Sequence, residues 1–168
     1  MNYIDQIIIR NKNKGIVLDT NLLILYIVGN YNIDYIKEFK RTASKGYTED
    51  DFFALSKILN IFNKVFLTPH VLSELSNLTF NYKNEENKNF TEYLLIAKRV
   101  LENINENNIS KDNILSSKFL KFGFTDISIL ELAINNSLPV ITDDLPFYSL
   151  LNNQGVECIN MSHIRVYK

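Results

Sequence analysis

A short apolar strand that ends directly in an aspartate is the feature that most limits how this chain can fold. Residues 16–18 read Ile-Val-Leu, and Asp19 follows them. Thr20 and Asn21 then lead into a long apolar segment that reaches Val28. The run is short enough for a buried strand, and the segment after it has helical length. Since ligands bind outside the carboxyl ends of strands in open parallel sheets, Asp19 is predicted to face a crevice.

Further apolar runs alternate with helix-like segments along the rest of the chain. Strands are predicted near residues 16–18, 65–67, 139–142 and 156–159, with a weak edge strand near 114–116. The alternation predicts an α/β fold, a three-layer α/β/α sandwich around a central parallel sheet. The first strand is expected to lie in the middle of the sheet, because its aspartate needs neighbours on both sides.

Apolar periodicity and capping residues predict the helices between these strands. They are expected at residues 2–13, 21–29, 48–62, 70–78, 90–105, 124–134 and 145–152. Gly29-Asn30 is interpreted as the stop of the second of these helices. Residues 81–89 are interpreted as a polar loop.

Length, charge and cysteine content exclude several classes of protein. The 168 residues suffice for one domain with a sizeable core. A net charge of −1 excludes a global basic field, so any contact with nucleic acid must come from a local patch. A single cysteine, Cys158, excludes a disulfide framework and indicates a reducing, cytoplasmic location. No signal peptide and no apolar run of membrane-spanning length is evident.

Four acidic residues lie where strands end or helices begin. Asp19 ends a strand, Glu74 lies early in a helix, Asp126 starts a helix, and Asp144 follows a strand beside Asp143. One edge of a parallel sheet could therefore collect them. Clustered carboxylates repel each other unless cations neutralise them. Oxygen ligands favour Mg²⁺ or Mn²⁺, and such a site can activate water for attack on a phosphodiester.

Each acid also has a simpler interpretation. Asp19, Asp126 and Asp144 are residue types that commonly begin or cap helices. Glu74 could be a solvated acid on a helix surface. His70 and His163 are far apart and lack a partner at ligand spacing, so a zinc site is not indicated.

Other phosphate-handling folds fit the sequence poorly. A haloacid-dehalogenase-like phosphatase needs a second aspartate where Asn21 stands. A response-regulator receiver needs an acidic pair after the first strand and a lysine after the last, and neither is evident. A P-loop or dinucleotide site needs a glycine-rich first turn, and none of the five glycines lies there.

Four motifs together resemble those of the PIN-domain nucleases. The opening motif is Val17-Leu18-Asp19-Thr20-Asn21, and the second is Val71-Leu72-Ser73-Glu74-Leu75. Thr125-Asp126 with its apolar helix resembles the third, and Val140-Ile141-Thr142-Asp143-Asp144 resembles the fourth. The order and spacing fit across residues 16–159. The resemblance implies a single PIN-like domain over residues 1–168, with variable helical regions at about 30–64 and 80–113.

The resemblance also implies a function. Asp19, Glu74, Asp126 and Asp144 would bind Mg²⁺ or Mn²⁺ and catalyse the cleavage of single-stranded or loop RNA. Asn21, Thr142 and Asp143 would position the substrate or orient the acids, and the doubled Asp143-Asp144 leaves the register of the fourth acid open. The implied partners are RNA, an antitoxin or other protein, and a second copy in a homodimer, with no membrane. The alternative is a non-catalytic PIN-like scaffold that binds RNA or a protein.

Several tyrosines could stack on the bases of single-stranded RNA. The candidates are Tyr31, Tyr35, Tyr47 and Tyr82. Such residues also serve as ordinary packing or interface residues, and the sequence leaves both roles open.

Overall fold

The computed structural model describes residues 2–80 and 88–166, which surround a five-stranded parallel sheet. The strands are β1 (Ile16–Leu18), β2 (Val65–Leu67), β3 (Asn105–Glu106), β4 (Val140–Thr142) and β5 (Cys158–Asn160). Their spatial order is β3-β2-β1-β4-β5, so β1 is the central strand, as predicted. Val17 is in register with Phe66 of β2 and with Val140 of β4.

Helices flank this sheet, which gives the predicted three-layer α/β/α arrangement. The α-helices are α1 (Tyr3–Asn11), α2 (Thr20–Tyr31), α3 (Lys40–Ser44), α4 (Glu49–Leu59), α5 (Pro69–Thr79), α6 (Lys88–Glu102), α7 (Lys111–Leu115), α8 (Phe124–Asn136), α9 (Leu145–Asn153) and α10 (Met161–Val166). Short 3-10 helices span Ile33–Lys37 and Leu120–Phe122.

The elements at the centre of the molecule are surrounded by apolar side chains. Their sequences are therefore continuously hydrophobic. β1 and β4 are buried along their whole length, as parallel strands covered on both faces are. α2 is also mostly buried, because it packs against α4, α5 and α6. Such burial is typical of a helix that is apolar around its whole circumference.

The predicted edge strand near 114–116 is wrong. Lys111–Leu115 forms α7, because the Ser110 side chain caps the helix by accepting a hydrogen bond from the Asn113 amide. The edge strand is instead β3, whose two residues are polar and exposed. Asn105 also donates from its side chain to the Val65 carbonyl on β2, at 3.2 Å. The edge is therefore held by polar groups rather than by an apolar run.

The predicted helix stop at Gly29-Asn30 is also wrong, because α2 continues to Tyr31. Gly29 is buried, and a Cβ atom placed on it would lie 2.2 Å from the ring of Phe52. The glycine therefore permits α4 to approach α2 closely, and it does not end the helix. Most of the predicted loop at 81–89, including Tyr82, lies outside the described residues.

Two further sequence predictions concern the single cysteine and the possibility of a membrane-spanning helix. Cys158 is buried in β5, as expected of a small apolar side chain. Within residues 2–80 and 88–166, no helix combines the length and apolarity that crossing a membrane requires.

Candidate functional site

An open cavity of about 450 Å³ lies at the edge of the sheet where β1 and β4 end. All four predicted acids line it, namely Asp19, Glu74, Asp126 and Asp144. They come from separate parts of the chain: the ends of β1 and β4, the body of α5, and the first turn of α8. The fold therefore gathers residues that the sequence separates by more than a hundred positions.

Asp19 is buried at the base of this cavity, with 5% of its surface exposed. It occupies the N-cap position of α2, but its side chain makes no capping hydrogen bond. Its Oδ2 atom instead accepts a hydrogen bond from the Thr142 hydroxyl, at 2.6 Å. Asp19 therefore stands at the capping position of α2, while its side chain is hydrogen-bonded to the end of β4.

Thr142 joins two of the acids through one hydroxyl group. Its Oγ1 donates to Asp19 and accepts from the backbone amide of Asp144, at 3.0 Å. Thr142 is fully buried at the end of β4, so this geometry is fixed by the sheet. The residue orients Asp19 toward the cavity and holds the turn that carries Asp144.

Glu74 is also oriented by a threonine. The Thr20 hydroxyl, in the first turn of α2, donates to Glu74 Oε2 at 2.8 Å. Glu74 is half-buried and lines the cavity, so it is not simply a solvated acid of α5. Consecutive residues at the start of α2 therefore bring Asp19 and Glu74 to the same place.

The two neighbouring aspartates after β4 have different surroundings. Asp144 lines the cavity and also caps α9, because its Oδ1 accepts from the Phe147 amide at 2.8 Å. Asp143 accepts a hydrogen bond from the Tyr47 hydroxyl at 2.5 Å, and Lys45 Nζ lies 3.8 Å from the same oxygen. Its other oxygen, Oδ1, is buried without a hydrogen-bond partner. Asp144 is therefore the acid that reaches the cavity.

Electrostatics show that the acids lie within each other's influence. Burial raises the pKa of Asp19 to about 6, the Thr142 hydrogen bond opposes this, and the charges of Asp143 and Glu74 add to it. Burial also raises the pKa of Asp126 to about 7, and the charges of Asp19, Asp144 and Glu74 raise it further. Burial is thus the main cause of both raised pKa values, and the like charges of the neighbouring acids add to it.

The start of α8 is fixed in a way that places Asp126 beside the other acids. Gly123 precedes the helix with φ of +94°, a conformation that L side chains rarely adopt. In the second turn, the Ser128 hydroxyl donates to the Thr125 carbonyl and contacts the Thr68 hydroxyl at 2.7 Å. This contact ties the beginning of α8 to the beginning of α5.

The donor set at this edge fits a hard divalent cation in its chemistry. Four carboxylates face one cavity, and oxygen ligands of this kind suit Mg²⁺ or Mn²⁺. As the side chains stand, however, no three Asp, Glu, His or Cys residues in the described part of the chain are drawn together closely enough to hold an ion. Binding would therefore require side chains to turn inward.

Two cations that the sequence did not single out line the same cavity. Arg41 lies in α3 and donates from Nε to Asn21 Oδ1 at 3.0 Å, and Lys45 follows α3 directly. Asn21, predicted to position substrate, thus positions an arginine. Neither cation carried a signal in the sequence, because both come from the variable region and only the fold brings them to the acids.

The described tyrosines that were considered for base stacking do not line the cavity, and they pack against other groups of the fold. Tyr31 contacts the rings of Tyr35 and Tyr93 edge-on, and Tyr47 is buried against Asp143. The aromatic residues that line the cavity are Phe122 and Phe124. Of the two roles that the sequence leaves open, packing is the one that these contacts support for the described tyrosines.

No protein-family model matches the sequence, and no curated protein shows significant similarity to it. The likeness to PIN-domain nucleases thus depends on four short motifs and on the fold that carries them.

Proposed function

We propose that the chain is a PIN-like, Mg²⁺- or Mn²⁺-dependent endoribonuclease. The observation that carries this proposal is the gathering of four separate acids around one open cavity at the carboxyl edge of a parallel sheet. Ligand sites of parallel α/β folds lie at this edge. A structural role for the cluster would leave unexplained why the folded protein tolerates raised pKa values at two of these acids.

Asp19, Glu74, Asp126 and Asp144 would hold the cation. When bound, it would neutralise the carboxylates and supply an activated water and charge stabilisation at a phosphodiester. Thr142 and Thr20 keep Asp19 and Glu74 turned toward the cavity. The helix N-terminus beside Asp126 favours its ionised form once a cation is present.

The cavity offers no other evident catalytic machinery. Among the described residues that line it, there is no histidine, serine or cysteine. The Thr20 hydroxyl serves to orient Glu74, to which it donates at 2.8 Å. Hydrolysis supported by carboxylates is therefore the reaction that the lining residues suit best.

The biological setting is also part of the proposal. The resemblance to PIN nucleases supports a cytoplasmic protein that cuts single-stranded or loop RNA, including the toxin of a toxin–antitoxin pair. The protein partners would then be an antitoxin and a second copy of the chain in a homodimer.

A second candidate function is a PIN-like scaffold that binds RNA or a protein without cutting. The observation that favours it is that Arg41 and Lys45 line the cavity, since cations bind the RNA backbone whether or not the strand is cut. The two functions differ in one outcome, which is metal-dependent cleavage.

The test is cleavage of a panel of structured and unstructured RNAs by purified protein, with Mn²⁺ and with EDTA. We expect the wild type to cut unpaired RNA only with the metal, and Asp126→Asn to lose this activity. Asp112→Asn, which changes an exposed acid in the first turn of α7, should cut like the wild type. A wild type that leaves every RNA intact would favour the scaffold.

A further inference from the structure

The mouth of the acidic cavity combines exposed aromatic surface with positive charge. Its rim consists of Arg41, Lys45, Phe122 and Phe124, all of which line the cavity. Phe124 is 59% exposed, more than any other large apolar side chain that the structure describes. Phe53 is exposed to nearly the same extent, so what distinguishes Phe124 is its place in the cavity lining beside Phe122 and the two cations.

The backbone that carries Phe124 is rigid. Phe124 is the first residue of α8, directly after Gly123 with its positive φ. The next turn of the helix is buried from Ile127 to Leu130 and is tied to Thr68 by the Ser128 hydroxyl. The backbone position of Phe124 is therefore held by the fold, so that only side-chain torsions remain to be fixed when a flat ligand binds.

The cations of the rim are available to an anion. Arg41 is oriented by its Nε bond to Asn21, and within the described part of the chain neither Nη nitrogen has a hydrogen-bond partner. Lys45 lies 3.8 Å from Asp143, a distance at which it can also reach a second anion. On the aromatic side, Lys121 Nζ lies 5.5 Å from the centre of the Phe122 ring.

This combination matches a single strand of nucleic acid better than a duplex. Backbone phosphates pair with Arg and Lys, and an unstacked base can lie on an aromatic face whatever its identity. A duplex keeps its bases stacked and could use only the cations. With a divalent cation on the acids, Arg41 and Lys45 would supply the local positive charge that a protein of net charge −1 needs for such a ligand.

We propose that Phe124 is a base-stacking platform and that Arg41 and Lys45 bind the backbone phosphates of single-stranded RNA at the cavity mouth. The choice of RNA rests on the proposed function, but the binding does not depend on cleavage. These residues position the strand, and the acids below them would act on one of its phosphodiesters.

The first test measures the affinity for a short fluorescent oligoadenylate by anisotropy, with Ca²⁺ in place of Mg²⁺ and with gels to verify that the RNA stays intact. Phe124→Ala should bind about 5- to 100-fold more weakly, the effect of losing one stacked base. Phe124→Trp should restore the affinity. Phe53→Ala, a matched control in α4 with a 57% exposed ring, should bind like the wild type.

The second test separates stacking from charge through the salt dependence of the same affinity. Arg41→Gln and Lys45→Gln should each flatten the slope of log K against log salt by about 0.7, the value for one phosphate contact on a single strand. Phe124→Ala should leave the slope unchanged. So should Lys57→Gln, an exposed lysine of α4 away from the cavity.

Failure of this inference can be told apart from failure of the proposed function. A wild type that binds oligoadenylate through Phe124 but never cuts RNA overturns only the nuclease. A nuclease whose affinity is the same in Phe124→Ala overturns only the inference. A wild type that does not bind, or that binds duplex RNA with equal dependence on Phe124, also overturns the inference.

Discussion

Replacing Asp19 by asparagine should stabilise the metal-free protein above about pH 6, and the gain should vanish in acid. Asp19 is buried, and burial together with the charges of Asp143 and Glu74 raises its pKa from 3.8 to about 6. Ionising it in the folded state is therefore costly. At about 1.4 kcal/mol for each pH unit, the carboxylate costs the fold about 3 kcal/mol once it is fully ionised.

The sign of the pH dependence follows from proton binding. Between about pH 4 and pH 6 the unfolded chain has released the Asp19 proton while the folded chain retains it, so the free energy of unfolding falls as the pH rises. Asparagine keeps an oxygen that can accept the Thr142 hydrogen bond and carries no charge. We expect Asp19→Asn to gain about 1–3 kcal/mol at about pH 8 and nothing at about pH 4.

The assay is urea denaturation in EDTA at both pH values, with Asp51→Asn as the matched control. Asp51 is also a buried aspartate, but its Oδ2 accepts from the Thr48 amide at 2.8 Å in a capping box. Asparagine keeps an oxygen for this hydrogen bond but loses the charge that strengthens it, so Asp51→Asn should cost up to about 1 kcal/mol and should not stabilise the protein at either pH. If Asp19→Asn were destabilised at both pH values, the carboxylate would be a structural group and the electrostatic reasoning would be refuted.

Three further substitutions test how the site and its surroundings are held. Thr142→Val removes the donor to Asp19 and the acceptor of the Asp144 amide, so it should cost about 1–3 kcal/mol in urea denaturation; an unchanged midpoint would mean that the hydroxyl is dispensable. Gly29→Ala places a methyl group against the Phe52 ring and should lower stability by about 1–3 kcal/mol in the same assay; a neutral result would show that α4 moves freely away from α2. Asp144→Asn should keep the cap of α9 and its stability yet lose RNA cleavage, whereas Asp144→Ala should lose both, with about 1 kcal/mol of stability; full cleavage by either variant would exclude Asp144 from the site.

The parts of the fold that the sequence predicted are those with buried apolar patterns. β1 and β4 are buried on both faces, so their short apolar runs were visible without any tertiary information. β3 was missed because its two residues are exposed and polar, and only pairing with β2 makes them a strand. Gly29 was misread because a close helix contact and a helix end require the same residue type.

The residues of the candidate site also fall into those that the sequence predicted and those that it did not. Asp19, Asp126 and Asp144 were predictable because each follows a strand or starts a helix, and parallel topology brings such positions together. Glu74 lies further into α5 and was predicted from its motif. Arg41 and Lys45 were not, since they reach the cavity from α3 and its end, in a region without a motif. Phe124 was hidden because an aromatic at the first turn of a helix usually indicates packing, and only its exposure shows otherwise.

Titration with Mn²⁺ tests most directly whether the four acids form a metal site. Isothermal calorimetry at about pH 8, where the carboxylates are ionised, compares the wild type with Asp19→Asn and with the Asp51→Asn control. The account predicts that the wild type and the control bind Mn²⁺ with the same affinity, and that Asp19→Asn binds it more than about ten-fold more weakly. Equal Mn²⁺ affinity in the wild type and Asp19→Asn, or no binding by the wild type, would contradict it.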